Sequence, residues 1–136
     1  MNKHLSDDTR FKGLKIAITG ANGSLGKSLI EALKKKGAYV VGLTHNKKNI
    51  TETNDISPDD WILWSCGKEE LLSSSLSNID ILILNHGFNP KEMIDSNEIN
   101  KAIEINSLSH WRLIEMFENL ALSNNLNNYN SKEVWI

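Results

Sequence analysis

One stretch constrains the fold of this chain more than any other: Thr19-Gly20-Ala21-Asn22-Gly23-Ser24-Leu25-Gly26. It comes straight off Lys15–Thr19 (KIAIT), a β-branched run that breaks into glycines as a buried parallel strand does. It also opens a segment of helical periodicity. A helix is expected from Ser24 to Lys36, with Leu25, Leu29, Ala32 and Leu33 on one face and Gly37 as its stop. Lys34–Lys36 fall in its last turn, where cations suit the negative end of the helix dipole. In a strand–turn–helix unit of this kind the first glycine allows the tight turn, the second lets a pyrophosphate approach the backbone, and the third lets the helix pack on the sheet. The helix N-terminus then offers N–H groups and positive dipole to phosphates. Glycines needed only for packing are the plainer alternative, but the strand before and the helix after are both as a nucleotide site requires.

The rest of the chain alternates in the same way. Tyr39–Leu43 (YVVGL), Trp61–Ser65 (WILWS), Ile79–Leu84 (IDILIL) and Glu133–Ile136 (EVWI) read as further strands. Lys68–Leu76 reads as a short helix and Ser96–Leu122 as a long one, with Ile99, Ile103, Leu108, Trp111, Leu113, Ile114, Phe117 and Leu120 at helix-like spacing. Residues 45–60 and 123–131 are loops by composition. Strand–helix alternation implies an α/β fold: a Rossmann-like, doubly wound parallel sheet with helices on both faces and right-handed crossovers. Residues 1–12 form a polar lead-in and 13–136 the domain, which is expected to be truncated, stopping incomplete on its C-terminal side at the fifth strand. Such an end would leave a bare sheet edge, which a second copy in a homo-oligomer would cover.

Composition narrows the partners. With 15 Lys+Arg against 17 Asp+Glu, a net charge of −2 and a pI near 6.1, the chain lacks the basic excess of a general nucleic-acid binder. A single cysteine, Cys66, excludes an internal disulfide framework and fits a reducing compartment. No apolar run is long enough to span a bilayer, and the start, MNKHLSDDTR, lacks a secretory hydrophobic stretch, so the expected location is cytoplasmic. His4, His45, His86 and His110 show no spacing typical of a metal site, and no metal is expected.

TGANGSLG resembles the cofactor turn of the short-chain dehydrogenase/reductase family. Its TGxxGxxG spacing differs from the TGxxxGxG of the main branch and is closer to the extended and atypical branches. Two further segments match in order. Asn85-His86-Gly87 is similar to the family's Asn-Asn-Ala-Gly element shortened by one residue, and Glu104-Ile105-Asn106 resembles the segment with the family's structural and catalytic asparagine. The wording IEINSLSHWRLIEMF and KEVWI is most similar to the dehydrogenase half of fused sterol desaturase/short-chain dehydrogenase proteins, which fixes no substrate.

The choice of dinucleotide is legible at the end of the second strand. A site for NAD places Asp or Glu about 20 residues beyond the glycine turn to bond the ribose, whereas a site for NADP must accommodate a 2′-phosphate. No carboxylate occurs from Ala38 to Thr51, and Thr44, His45, Asn46 and Lys47 make a neutral-to-basic patch there. The expectation is NADP(H), with NAD as the alternative. Lys47 and Lys48 as ordinary solvated lysines is the plainer reading of that pair. After the third strand, Ser65 and Cys66 border the expected adenine pocket where many family members have Asp, although a structural thiol is the commoner role for such a cysteine. The candidate cofactor set is therefore Thr19, Gly20, Asn22, Gly23, Ser24, Leu25 and Gly26; Thr44, His45, Asn46 and Lys47; Ser65 and Cys66; and Asn85, His86 and Gly87.

The resemblance implies hydride transfer between nicotinamide and a carbonyl or alcohol. It also implies a Tyr as acid/base, a Lys that lowers its pKa, a Ser on the substrate oxygen and an Asn in a proton relay. Asn106 matches the last, with backbone tethering as the alternative role. Neither Tyr39 nor Tyr129 is followed by Lys at the family's spacing, and the family's Ser would come after the fifth strand. Three readings follow: the N-terminal, cofactor-binding part of an NADP(H)-dependent oxidoreductase; a non-catalytic dinucleotide-binding module; or an inactive remnant.

Overall fold

Five strands lie side by side, all parallel: β1 (Lys15–Thr19), β2 (Tyr39–Thr44), β3 (Asp60–Leu63), β4 (Ile81–Ile83) and β5 (Glu133–Trp135). The computed structural model describes residues 9–51, 56–91, 95–124 and 131–136. Strand order across the sheet is β3-β2-β1-β4-β5. The chain thus winds outward from β1 to β3, then crosses back to build β4 and β5 on the other side. That reversal puts a crevice at the carboxyl ends of β1 and β4, where open parallel sheets bind ligands.

The sheet is covered on both faces, as the alternation of strand and helix predicts. On β1, Ile16 and Ile18 point to one face, with Ile30 and Leu33 of α1 (Ser24–Lys35). Ala17 points to the other face, where Leu113 and Phe117 of α4 (Ser109–Asn124) close the core with Trp64 and Leu76. The period-2 geometry of a strand makes this division. Helix α1 stops where expected, at Gly37, whose φ of +83° is the left-handed conformation glycine tolerates best.

Several elements differ from the sequence reading. The buried stripe of α1 is Gly26, Ile30 and Leu33, so Leu25, 61% exposed, and Ala32 fall outside it. The stripe is rotated because Gly26, with no side chain, is what sits against the turn. The polar stretch after β2 contains a short helix, α2 (Lys47–Thr51). Trp64 has left β3, is buried, and donates its N–H to Thr44 O at 2.9 Å. The expected helix at 68–76 is one short 3-10 segment, Glu69–Leu72, followed by turns. Phe11, read as lead-in, is buried, its ring edge-on to Trp135 with centroids 5.9 Å apart. Residues 1–8 and Tyr129 lie outside the described residues.

The long helix is interrupted. It comprises α3 (Ser96–Ile103), a π-helical turn at Glu104–Leu108, and α4. A π turn carries one extra residue per turn and is found preferentially at functional sites. The apolar residues of the stretch therefore divide. Leu113 and Phe117 are buried, whereas Ile99, Ile103, Leu108 and Trp111 are exposed. Among the described residues no helix is long and apolar enough to cross a membrane, and no group of three His, Cys, Asp or Glu side chains is assembled to hold a metal ion.

Candidate functional site

The crevice is built where the glycine turn meets the segment after β4. Gly20 has φ of +62°, and a Cβ there would lie 2.6 Å from Asn85 O, so both conformation and contact demand glycine. Asn85 returns the contact, its side-chain amide donating to Gly20 O at 3.3 Å. A Cβ on Gly26 would collide with Gly20 O and the Ala21 backbone, so the first turn of α1 is pressed directly against the loop. Gly23 is the residue before α1, extended at φ −71°, ψ 166°, and it supplies no side-chain cap to the helix. The first-turn N–H groups of α1 therefore face the mouth of the crevice without a side-chain acceptor. Asn22, Gly23, Ser24 and Leu25 are exposed around them.

Behind the crevice lies a buried polar chain. Thr19 is 0% exposed, and its Oγ1 accepts the backbone N–H groups of Asn85 at 2.9 Å and His86 at 3.2 Å. The residue thus underpins the site from below. The His86 ring spans the gap between sheet and helix, with Nδ1 2.8 Å from Thr19 Oγ1 and Nε2 3.2 Å from Ser109 Oγ. Ser109, also 0% exposed, donates to Glu69 Oε1 at 2.6 Å. Glu69, 1% exposed, further accepts from Gly67 N–H at 2.9 Å and Arg112 Nε at 2.8 Å. Arg112 also pairs with Glu104 in the π turn.

The charges follow from these partners. Burial alone would raise the Glu69 carboxyl, but hydrogen bonds from Arg112, Ser109 and Gly67 outweigh it and hold the group below the usual value. Those carboxylate partners, Glu69 first, raise the Arg112 guanidinium. Burial, helped by the neighbouring His110 ring, pushes His86 down from 6.5 to about 4, so it is neutral at pH 7. Trp64 stands edge-on to His86 with centroids 5.3 Å apart, and His110 donates from Nε2 to His86 O at 2.8 Å.

The other candidates fall at the ends of β2 and β3 and on the long helix. Thr44 is buried and turned inward, accepting Asn46 N–H at 3.1 Å and the Asn49 side-chain amide at 2.9 Å to start α2. His45, Asn46 and Lys47 are exposed beside it. Ser65 is exposed, and Cys66 is half-buried against the core, as a structural thiol would be. Asn106 lies in the π turn with both amide groups on one backbone: it accepts Phe88 N–H at 2.7 Å and donates to Phe88 O at 2.8 Å. It thereby tethers the segment after β4, with its oxygen 3.4 Å from where a Gly87 Cβ would be.

Candidates from β1, β4 and the π turn are thus brought together, while those from β2 form the flank. Glu69, Ser109 and Arg112 have no signal in the sequence. An acidic residue in a Lys-Glu-Glu run reads as solvated, and only the packing of α4 on Glu69–Leu72 buries it.

Comparison with known proteins agrees with this geometry. Residues 16–134 match the profile of the NAD dependent epimerase/dehydratase family. A monoglucosyldiacylglycerol epimerase of Synechocystis sp. is 33% identical over 141 residues, an alignment that covers 100% of this chain and 33% of the relative. Among solved structures, a short chain dehydrogenase/reductase family protein superposes with a TM-score of 0.76 at 17% identity, over 91% of this chain and 54% of the other. A short chain dehydrogenase from Leptospira borgpetersenii with bound NAD+ gives 0.70 at 24% identity, over 91% and 51%. The chain spans about a third of the curated relative and about half of these structures. The resemblance to short-chain dehydrogenases and the Rossmann-like sheet expected from it are both borne out. The chain belongs to the NAD dependent epimerase/dehydratase family.

Proposed function

We propose that this chain forms the dinucleotide-binding part of an NADP(H)-dependent oxidoreductase of the short-chain dehydrogenase/reductase type, acting on a carbonyl or alcohol. The observation that carries the reading is the crevice at the β1–β4 switch, where the α1 N-terminus has no side-chain cap and Gly20 lets Asn85 close in. The residues fit a pyrophosphate. At Gly23 an added Cβ would meet only Gly20 O, at 3.4 Å, leaving the backbone open to close approach. Nicotinamide, when bound, supplies the hydride chemistry. The protein's part is to bind and orient: α1 neutralises phosphate charge, and Asn85 to Gly87 form the wall beside the turn. Asn106, assigned by resemblance to a proton relay, holds Phe88 against that wall.

Preference for the 2′-phosphate is supported by the exposed His45, Asn46 and Lys47 beside a β2 end that has no carboxylate. Solved relatives of the fold have been seen with either cofactor, one from Escherichia coli CFT073 complexed with NADPH and the Leptospira protein with NAD+. A second reading, a dinucleotide-binding module without its own acid/base group, is favoured by Tyr39, which starts β2 at the end of the sheet opposite the crevice. Self-association is supported by exposed Ile99, Ile103, Leu108 and Trp111 along the interrupted helix. Titration of the purified chain with NADPH and NADH tests the proposal. NADPH is expected to bind more tightly; tighter NADH binding would overturn the preference, and binding of neither would overturn the site.

A further inference from the structure

The hydrogen bonds behind the crevice run in one direction only, and that direction has a consequence for His86. Thr19 Oγ1 has two lone pairs, and both are taken by the N–H groups of Asn85 and His86. Thr19 therefore has no capacity to accept a proton from His86 Nδ1, 2.8 Å away; its own proton lies between that nitrogen and Ile83 O, 3.3 Å away, and the shorter contact is the one to Nδ1. At the far end, ionised Glu69 only accepts, so the single Ser109 proton goes to Glu69 Oε1 at 2.6 Å. Ser109 Oγ can then meet His86 Nε2, 3.2 Å away, only by accepting from it. Both ends demand the same neutral tautomer, protonated on Nε2 and bare on Nδ1.

We infer that Glu69 and Ser109, acting through His86, are positioning residues for the dinucleotide crevice. Glu69 polarises Ser109, Ser109 fixes the His86 tautomer, and His86 holds the Thr19 hydroxyl in the orientation that receives the Asn85 and His86 amides. Those amides set the wall opposite the glycine turn, where Asn85 O approaches Gly20. The same carboxylate binds Gly67 N–H and Arg112, and Arg112 binds Glu104. One buried side chain thereby links the segments after β3 and β4 to the π turn. This inference rests on the proposed dinucleotide site, but its first readout does not.

Nitrogen-15 correlation spectra of the full chain would report the His86 tautomer directly. A neutral Nε2–H ring at pH 7 is expected in the wild type, and an Nδ1–H or doubly protonated ring would overturn the inference whatever the cofactor does. In Ser109→Ala the ring should lose its single tautomer. NADPH affinity should fall about tenfold, as for loss of one buried hydrogen bond with its partner left unmet. Ser109→Thr, which keeps the hydroxyl, should restore both. Unchanged NADPH affinity in a folded Ser109→Ala protein would overturn the positioning role. Should Ser109→Ala not fold, the wild-type tautomer and the Thr variant still decide. Failure of the wild type to bind either dinucleotide would instead remove the proposed site and leave the tautomer result standing.

Discussion

The two flanks of the crevice are built differently. At the β1–β4 junction the contacts are directional and run inward from half-buried His86 to fully buried side chains, with Thr19, His86, Ser109 and Glu69 bonded in sequence. Of the candidates at the end of β2 only Thr44 is buried, while His45, Asn46 and Lys47 are exposed on a five-residue helix start and the stretch around it. The contrast separates two tasks. On the proposed function, holding a dinucleotide falls to the hydrogen-bonded junction, whereas choosing between dinucleotides falls to exposed side chains that can change without disturbing the fold. Substitutions at the junction should therefore cost stability and binding together, and those at the β2 flank should change preference alone.

Gly26→Val tests the junction most severely. Its side chain would strike the Gly20 and Ala21 backbone, so a loss above about 4 kcal/mol is expected in urea melts, with no dinucleotide binding. Retained stability would show that the turn is looser than described.

Acid is the next largest perturbation. His86 is held near 4 against an ordinary 6.5, by burial first and His110 second, with Glu69 opposing the shift and Trp64 edge-on to the ring. Between those pH values the unfolded chain binds a proton that the native chain refuses. Stability should fall as pH drops from about 6.5 to about 4, by on the order of 2 kcal/mol once solvent screening of the half-buried ring is allowed for, and this contribution should then level off. Glu69, depressed in the native state, adds a further loss below 4.5. A melt series from pH 7.5 to about 3.5, repeated with His86→Gln, should show the upper part of the slope only in the wild type; a flat wild-type profile would contradict the buried neutral ring.

The β2 flank should give the smallest structural effect. Lys47→Glu is expected to change stability by less than about 0.5 kcal/mol, since the side chain is exposed. NADPH affinity should fall about tenfold and NADH affinity by less than about twofold, with the NADPH effect weakening as salt is raised. An equal loss for both dinucleotides would show that Lys47 does not face the 2′ position.

The sequence is most legible where one residue type has one physical use. β1, the turn and the limits of α1 follow from β-branched residues and from glycines at positions that no side chain can share. The sheet follows from strand–helix alternation. The buried face of α1 lies one step away from the face that periodicity predicts, because hydrophobicity gives Leu25 weight and Gly26 none. The π turn is a single extra residue in a long amphipathic run, a difference too small for periodicity to reveal. The polar chain is illegible for another reason: Glu69, Ser109 and Arg112 are 40 or more residues apart at their longest separations, and their types are ordinary for surfaces. Only folding brings them together. Asn106 was placed by resemblance, and the geometry adds what resemblance did not specify, namely that its amide is committed to Phe88 on both sides.

The central claim, that the β1–β4 crevice holds a nicotinamide dinucleotide, is tested most directly by following the NADPH titration residue by residue in amide NMR spectra. Saturable shifts centred on Gly20 to Gly26 and Asn85 to Phe88, with a second set at His45 to Lys47, are the result predicted here. Shifts confined to another surface, or none at millimolar NADPH, would contradict the account.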